Sequence, residues 1–341
     1  MSTCYILVGI PGSGKTYVGK QRALATGAII LSSDEYRLKL FGDENDQQHN
    51  QEVFTALYKD ARNYLSAGKD VIFDATNTTL KARHTIFDQL KGLSGIKYVA
   101  IVIPTPYEKC VEQDAFRART VGRKVVYKFY SSFQFPQKFE GFDEIEIYGY
   151  TDKPKFNGER GLELFDYMCN IDQQNPHHLW SLGSHCGSVA YPYSTEEPEF
   201  TAGFFHDVGK LFTKTVDEQH IAHYYSHDSI GTYYLLTNLD LISRDEYTWD
   251  DIYMVLFFVN YHMKAHKDFR TTKAEKKYRA LFGDDLYDRL ILFANRDIEA
   301  SGTEEFHEEL TKLIKEDKLT LEEFRQTELY KNAIKSEIKL P

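Results

Sequence analysis

The chain has 341 residues, of which 42% are hydrophobic and 27% charged, a composition that excludes disordered and fibrous proteins and leaves room for about two domains. The 51 acidic residues outnumber the 41 Lys and Arg residues and give a net charge of -10. This charge argues against a protein that binds along a long nucleic acid, but it is compatible with local binding of a strand end. Apolar runs fall short of the ~20 residues of a membrane span, and four scattered cysteines lack a CxxC pair, so we expect no membrane partner and a cytoplasmic location.

The first hundred residues alternate between short apolar runs and longer polar stretches. Runs at 5–8, 28–31, 71–73 and 98–103 predict strands, and the segments between them that predict helices are 15–25, 51–67 and 80–90. Continuous apolar strands that alternate with helices are typical of a parallel sheet. We therefore predict an α/β domain.

The pattern changes after about residue 147. The polar segment 151–161, which carries Pro and Gly, is the predicted linker, so the domains are placed at 1–150 and 151–341. The second domain shows little strand signal and is predicted to be all-α. In its tail a stripe at helical spacing is predicted to pack against its own domain, and it consists of Phe306, Leu310, Leu313 and Ile314.

Residues 9–16, GIPGSGKT, fit the phosphate-loop pattern G-x-x-x-x-G-K-[ST] in full, between a predicted strand and a predicted helix. The residues expected to wrap phosphates with their backbone N–H groups are Gly9, Gly12, Ser13 and Gly14. Lys15 would neutralise the β- and γ-phosphates and Thr16 would hold Mg²⁺. The pattern predicts that ATP, or another NTP, binds here with Mg²⁺; the alternative is a glycine-rich turn.

Polar residues follow the second and third predicted strands. Asp34 lies at a carboxyl end, where parallel sheets bind ligands, and its carboxylate could accept a proton from an attacking hydroxyl. A helix N-cap is the alternative for Asp34. Asp74 ends the third strand in the position of an acid that meets the Mg²⁺ shell. Asn77 is a site residue or a loop cap, and Arg83 a site residue or a surface charge.

Residues 115–139 contain no acid in a chain with ten excess acids. Its basic residues are Arg117, Arg119, Arg123, Lys124, Lys128 and Lys138, and its aromatic residues are Phe116, Tyr127, Phe129, Tyr130, Phe133, Phe135 and Phe139. The composition of this segment predicts a lid over nucleotide phosphates. The same lid could also bind a nucleic acid strand. The alternative is a lid that touches ATP only, with its aromatic residues buried.

From about Thr3 to Ile147 the chain resembles the polynucleotide 5'-hydroxyl kinase family of P-loop phosphotransferases. The motifs that carry the resemblance are GIPGSGKT, SSDEYR, DATNTTLKAR and the arginine-rich lid followed by FPQKFEGFDEI. The resemblance implies that Asp34 is the general base for the 5'-hydroxyl and that Arg37 contacts the neighbouring phosphate. It further implies that Asp74 and Asn77 line the acceptor and metal region. A lid arginine would stabilise γ-phosphate charge, and both Arg119 and Arg123 fit that role.

Most of the 12 histidines lie in the second domain, among them the doublet His206-Asp207 before Val-Gly-Lys. The residues that could converge from helices into a bundle-core metal site are His185, His206, Asp207, His227, His262 and Asp297. Such nitrogen and oxygen donors suit one or two Mn²⁺, Fe²⁺, Co²⁺, Mg²⁺ or Zn²⁺ ions, which can activate a water and clamp a phosphate oxygen. The alternative for any one histidine is a hydrogen-bonded core residue, and we assign His220, His223 and His266 to it.

From about Phe156 to Ser301 the chain resembles the HD-domain phosphohydrolase superfamily. The matching segments are NPHHLWSLGSHC, FFHDVGK, SHDSIG, VNYHM and NRDIEA. The resemblance implies a first metal on His185, His206, Asp207 and Asp297. It implies a second on His227 and His262, with Asp207 shared. Lys210 would contact substrate phosphate or orient Asp207, and His178 either reaches the pocket or only starts a helix.

A kinase joined to a phosphohydrolase is productive if the two act on different ends of a broken strand. The combination is similar to bifunctional end-healing proteins of bacteria and their viruses, which implies 5'-hydroxyl phosphorylation and removal of a 3'-phosphate or 2',3'-cyclic phosphate from RNA or DNA ends. One alternative is a nucleoside or nucleotide kinase joined to a nucleotide phosphohydrolase. Another is a nucleotide sensor that regulates the HD half. The sequence leaves RNA or DNA preference, metal identity and oligomeric state open.

Overall fold

The computed structural model describes residues 1–117, 119–302, 321–328 and 331, and the chain divides into two compact units. The units are Met1–Asp152 and Lys153–Pro341, so the division falls within two residues of the boundary that composition predicts. The predicted tail stripe of Phe306, Leu310, Leu313 and Ile314 lies outside the described residues.

The first unit is built on a five-stranded parallel sheet with the order β2-β3-β1-β4-β5. Its strands are β1 (Ser2–Val8), β2 (Ile29–Ser32), β3 (Val71–Asp74), β4 (Ile96–Val102) and β5 (Glu144–Ile147). Its helices are α1 (Lys15–Thr26), α2 (Ser33–Phe41), α3 (Asn50–Ser66), α4 (Leu80–Leu90), α5 (Tyr107–Ala115) and α6 (Arg123–Tyr130), with a 3₁₀ turn at Lys138–Glu140. The predicted α/β class with a parallel sheet is confirmed.

Strand burial explains which elements the sequence pattern revealed. The central strands β1 and β3 bury nearly every residue, and β4 buries its last four, so they stand out as continuous apolar runs. Strand β5 lies at the edge, and its sequence EIEI buries only alternate residues. Alternation over four residues gives a weak signal, and for that reason β5 is absent from the predicted strands.

A buried ion pair joins α4 to the turn that precedes β5. Arg83 is fully buried, and its Nε and Nη2 atoms each donate to Glu140 at 2.7 Å, while Nη1 donates to the carbonyls of Asn77 and Gln134. This bidentate geometry satisfies both charges without water. Neither predicted role for Arg83 is therefore correct, because this residue is neither at the site nor on the surface.

The Arg83–Glu140 pair predicts a large loss of stability on one-sided removal. Arg83→Met should lower the free energy of unfolding of the first unit by roughly 3–5 kcal/mol, because it leaves Glu140 buried and uncompensated. The matched control is Lys97→Met, which breaks the half-exposed Lys97–Glu144 pair and should cost less than about 1 kcal/mol. Hydrogen exchange of sheet peptides in the full chain measures both, and equal losses would contradict the assignment.

In its described residues, the second unit is helical apart from a short hairpin. Its helices are α7 (Gly158–Cys169), α8 (Leu182–Ala190), α9 (Pro198–Phe205), α10 (Lys210–Thr213), α11 (His227–Leu236), α12 (Trp249–His266), α13 (Thr272–Phe282), α14 (Asp284–Ser301) and α15 (Leu321–Gln326), with a 3₁₀ turn at Leu239–Leu241. The hairpin pairs β6 (Lys214–Val216) with β7 (Ala222–Tyr224), two strands that the sequence analysis did not anticipate.

Helix α12 is the centre of the second unit. It packs against α9, α11 and α14, and almost all of its middle, from Ile252 to His262, is buried. A capping box at Thr248 and Asp251 fixes its start. In α12 the charged residues Asp250, Asp251 and Lys264 lie on either side of the apolar stretch, and within the described ranges each helix is too short or too polar to cross a bilayer. The apolar sequence of α12 is thus accounted for by burial inside the unit.

Candidate functional site

The loop between β1 and α1 forms a cradle for phosphate oxygens. Gly12 and Gly14 adopt φ angles of +82° and +92°, values that residues with a Cβ rarely adopt. Ser13 is buried, and its Oγ has no hydrogen-bond partner, an unsatisfied polar atom of the kind that a bound ligand satisfies. The loop therefore has the shape and the free donor that an anion site requires.

Lys15, Thr16 and Asp74 converge beside this loop. Lys15 is buried and donates from Nζ to the carbonyl of Ile10 at 2.8 Å, and burial lowers the pKa of Lys15 to about 8. Thr16 Oγ1 donates to Asp74 Oδ2 at 2.9 Å, and burial raises the pKa of the Asp74 carboxyl. A hydroxyl and a carboxylate side by side are ligands that Mg²⁺ prefers, so these residues fit the ion that the motif implies.

The order of the strands places these groups in one cavity of about 660 Å³. Strands β2, β3 and β1 are neighbours, so the residues that follow them meet at one edge of the sheet. Eight of the predicted site residues line the cavity together: Gly12, Gly14, Lys15, Thr16, Asp34, Arg37, Asp74 and Arg119. The lid also contributes Arg117 and Lys128, and the loop after α2 contributes Asn45 and Gln47.

Two arginines hold the Asp34 carboxylate. Arg37 donates to its Oδ1 at 2.8 Å, and Arg119 lies 2.7 Å from its Oδ2. Arg119 also donates from Nε to Asn45 at 2.7 Å, so one side chain connects the lid, the loop after α2 and Asp34. The alternative role of Asp34 as a helix N-cap is not what the structure shows, because Ser32 occupies that position.

Two predicted residues lie away from the cavity. Arg123 pairs with Glu108 and lies over the ring of Tyr107, and its side chain is 62% exposed. Asn77 is buried with φ 45°, and its Nδ2 donates to the carbonyls of Leu7 and Ala75. Of the two lid arginines, the geometry thus favours Arg119. Asn77 holds the loop after β3 against β1 and does not line the cavity.

The phosphate loop predicts a difference between two glycines. A Cβ on Gly12 would lie 2.1 Å from the carbonyl oxygen of Cys110, whereas a Cβ on Gly14 meets nothing within 4 Å. Gly14→Ala should therefore cost only the backbone strain of about 1–2 kcal/mol. Gly12→Ala adds a clash with backbone and should weaken ATP binding at least about tenfold relative to Gly14→Ala, as measured by calorimetry. Equal affinities would contradict this account of the loop.

In the second unit, a cluster of imidazoles and carboxylates is buried among the helices. His185 comes from α8, His227 begins α11, His262 lies on α12 and Asp297 on α14. His206 and Asp207 come directly after α9 and lie in a turn, so the expectation that all six lie on helices is wrong for this doublet. All six are less than a tenth exposed.

Four of these residues surround one position. His185 Nε2 lies 3.2 Å from His206 Nε2, 3.0 Å from Asp297 Oδ1 and 3.4 Å from Asp207 Oδ2. His206 Nε2 lies 3.5 Å from each of the same two carboxylate oxygens. Ligands about 2.1 Å from an ion are about 3.0–3.4 Å apart at angles of 90–110°. These separations therefore fit four ligands of one divalent ion.

Asp207 also faces a second position. Its other oxygen, Oδ1, lies 3.1 Å from His227 Nε2 and 3.6 Å from His262 Nε2, and the two imidazoles are 3.2 Å apart. The Nδ1 atoms of His206, His227 and His262 each bond a backbone carbonyl, so their Nε2 atoms are turned toward the cluster. The donor set thus fits two ions that share Asp207.

Lys210 lies beside the first position. Its Nζ is 2.7 Å from Asp207 Oδ2, 2.8 Å from Gln173 Oε1 and 3.1 Å from His178 Nε2. His178 is therefore a neighbour of the cluster, and its ring also packs edge-on against His185. Burial and the Lys210 charge keep the pKa of His178 well below its ordinary value.

Electrostatics hold the cluster in a charged state. Burial alone would raise the pKa of Asp207, yet Lys210 and His206 hold it well below its ordinary range. Burial would likewise lower the pKa of His206, but the carboxylates of Asp207 and Asp297 raise it well above its ordinary value. Protons on imidazoles thus balance the buried carboxylates here, and divalent cations would take over that balance by displacing them.

Sequence reasoning missed three residues that contact the two sites. Gln173 holds Lys210, Asn45 holds Arg119, and His266 donates to Asp297 at 2.8 Å. Gln173 and Asn45 lie in loops that no motif marks. His266 is four residues after His262, and this helical spacing places both on one face of α12. This spacing is the sequence signal that could have assigned His266 to the cluster.

Comparisons with known proteins include a family model that matches within the first unit. The family model described as "AAA domain" matches residues 5–136. The chain is 28% identical over 168 residues to a mimivirus protein (Acanthamoeba polyphaga mimivirus) named as a bifunctional polynucleotide phosphatase/kinase, covering 47% of this chain and 36% of that protein. It is 28% identical over 102 residues to human 6-phosphofructo-2-kinase/fructose-2,6-bisphosphatase 3, covering 25% and 20%. The chain thus spans about a third or less of the length of these relatives.

A solved structure, the Pnkp1/Rnl/Hen1 RNA repair complex, contains a chain that is 24% identical, with a TM-score of 0.34 and coverage of 38% of this chain and 42% of that chain. The match to the family model, the complete phosphate loop and the parallel sheet together define the class of the first unit. This unit is an α/β P-loop domain with a parallel sheet.

Proposed function

We propose that the chain heals broken nucleic acid ends, phosphorylating 5'-hydroxyls with its first unit and removing 3'-phosphates or 2',3'-cyclic phosphates with its second. The observation that carries the kinase half is the cavity that joins Lys15, Thr16 and Asp74 to Asp34 and Arg119. A nucleotide-binding loop alone serves many reactions. A carboxylate across the same cavity from the phosphate loop is what transfer to a hydroxyl requires.

Each of these residues has a separate role in the proposed kinase reaction. The acceptor oxygen attacks the γ-phosphorus of ATP, the bond to the β–γ bridging oxygen breaks, ADP leaves, and Asp34 takes the hydroxyl proton. Lys15 and Arg119 balance the negative charge of the transferred group, and Arg37 is placed to meet the acceptor's next phosphate. Thr16 and Asp74 would hold Mg²⁺, which when bound neutralises phosphate charge.

The choice of a nucleic acid acceptor is supported by charge. The cavity is lined by Arg37, Arg117, Arg119 and Lys128 although the whole chain is acidic. A cavity in which basic residues outnumber acidic ones suits a short strand end with its phosphates. The named similarity to a polynucleotide phosphatase/kinase supports the same acceptor.

The kinase test uses γ-labelled ATP, Mg²⁺ and a 5'-hydroxyl oligonucleotide of RNA or DNA, with a free nucleoside in a parallel reaction. Asp34→Asn should lower kcat by about 10²–10⁴-fold, because it removes the base and preserves the side-chain volume. Arg119→Ala should lower kcat by at least about 10²-fold. The matched control, Arg123→Ala, should stay within about threefold, because Arg123 lies outside the cavity.

Three outcomes contradict the kinase proposal. Label on the nucleoside in place of the oligonucleotide would indicate a small-molecule kinase. ATP binding without any labelled acceptor would indicate a nucleotide sensor. Equal losses for Arg119→Ala and Arg123→Ala would contradict the assignment of the lid arginine.

The hydrolase half is supported by the paired donor positions around Asp207. His185, His206, Asp207 and Asp297 would hold one divalent ion, and His227, His262 and Asp207 a second. Such ions, when bound, activate a water and polarise a phosphate oxygen. Lys210 adds a buried positive charge beside the first position, where it can bind a phosphate oxygen and hold Asp207 in place.

The hydrolase test removes the metal ligands without touching the first unit. His206→Ala and Asp207→Asn should each lower release of the 3'-phosphate by roughly 10³-fold, since metal ions supply several kcal/mol to such reactions. Both variants should keep full 5'-kinase activity, which serves as the folding control. Chelation followed by addition of Mn²⁺, Co²⁺, Fe²⁺ or Zn²⁺ to the wild type identifies the metal. Undiminished phosphate release by both variants would contradict the proposal.

A further inference from the structure

Asp297 has one oxygen that faces the first metal position and one that faces His266. Its Oδ1 lies 3.0 Å from His185 Nε2 and 3.5 Å from His206 Nε2, facing the first position. Its Oδ2 lies 2.8 Å from Nε2 of His266. An ionised carboxylate only accepts hydrogen bonds, so the Nε2–H of His266 donates to Oδ2.

We propose that His266 is a positioning residue that confines Asp297 to the first metal position. The bond from His266 turns Oδ2 toward that ring, and Oδ1 is the oxygen that Asp297 presents to the first position. Asp207 differs in this respect, because its two oxygens face different positions and it can bridge them. This inference rests on the proposed metal centre and deepens it.

The helix that carries His266 makes the arrangement rigid. His262 and His266 are one turn apart on α12, the buried central helix of the unit, and their rings pack edge-on at 6.3 Å. His262 is fully buried and faces the second position, whereas the His266 side chain is 21% exposed and reaches Asp297 on α14. One face of one helix thus supplies a ligand to the second position and a support to the first.

The consequence is two unequal metal positions. The first has four protein donors, one of them oriented by His266, and the second has three, which leaves more open coordination for a water or a phosphate oxygen. Partners that orient a metal ligand typically contribute 10–100-fold to metal affinity. His266 should therefore contribute to affinity at the first position and little to affinity at the second.

The test titrates Co²⁺ into the metal-free full-length chain and follows calorimetric heat and the visible absorption of bound Co²⁺. The wild type should bind two equivalents in distinguishable steps. His266→Ala should weaken one step by about 10–100-fold and leave the other within about threefold. His266→Gln places an amide N–H at similar reach and should restore the affinity to within about fivefold.

The matched control is His223→Ala. His223 also donates from Nε2 to an aspartate at 2.8 Å, but its partner is Asp217 on the hairpin, away from the cluster. This variant should leave both Co²⁺ steps unchanged. Melting curves of the metal-free proteins report any general destabilisation, and we expect His266→Ala to melt within about 3 °C of the wild type, since a partly exposed hydrogen bond contributes about 1 kcal/mol.

The outcomes separate this inference from the proposed function. Two wild-type Co²⁺ steps that are both unchanged in His266→Ala overturn the role of His266 and leave the metal centre standing. Equal weakening of both steps, without rescue by His266→Gln, also overturns it, because a general structural role would act that way. A wild-type chain that binds no divalent metal overturns the metal centre together with this inference.

Discussion

Charges buried away from water constrain both units more than any other feature. An unpaired charge in the interior lowers the stability of the fold by several kcal/mol. Each buried charged group therefore needs an oppositely charged or hydrogen-bonded partner. Arg83 is paired with Glu140, and Asp207 is paired with Lys210 and four imidazoles. Lys15 Nζ donates to the carbonyl of Ile10, and burial lowers the pKa of Lys15 to about 8. The interior around Lys15 is thus incomplete without an anion, whereas the interior around Arg83 is complete.

This distinction separates structural from functional buried charges. Arg83 uses its donors on two carboxylate oxygens and two carbonyls. Ser13 beside Lys15 keeps a buried hydroxyl oxygen without a partner, and the nearby Arg37 keeps a buried Nε. Satisfied groups stabilise a fold, and unsatisfied groups facing a cavity are available to a ligand. The phosphate loop and Arg37 therefore belong to the site, although by residue type Arg83 looked equally suited to it.

Sites formed by consecutive residues could be predicted from the sequence, whereas pairs of side chains far apart in the sequence could not. The phosphate loop lies in eight consecutive residues, so its motif, strand and helix could be predicted together, and all are present. Asp34 and Asp74 could be placed because parallel strands end at one edge. The partner of Arg83 is 57 residues away, and that of Asp297 is 31 residues away on another helix. No periodicity connects such pairs, because only packing decides which side chains meet.

In the histidine cluster, the proposed ligands could be predicted from the sequence, but the orientation of their side chains could not. Residue types and a family resemblance indicated six ligands, and the structure brings these six together in the described part of the chain. The resemblance did not reveal that Asp207 divides its oxygens between two positions while Asp297 keeps one oxygen for His266. That difference depends on side-chain rotation, which the spacing of residues leaves free.

Burial of the histidine–aspartate cluster restricts which phosphates could reach the proposed metal ligands. The six proposed metal ligands are each less than a tenth exposed, so a phosphate must enter the helical unit to reach them. A terminal phosphate is attached to the strand on one side only and can enter, whereas an internal phosphodiester carries a nucleotide on both sides. Under the proposed function, this depth would restrict hydrolysis to strand ends and spare the backbone. The depth alone does not distinguish a 3'-phosphate from a 5'-phosphate, so that selectivity must come from contacts with the terminal sugar and base.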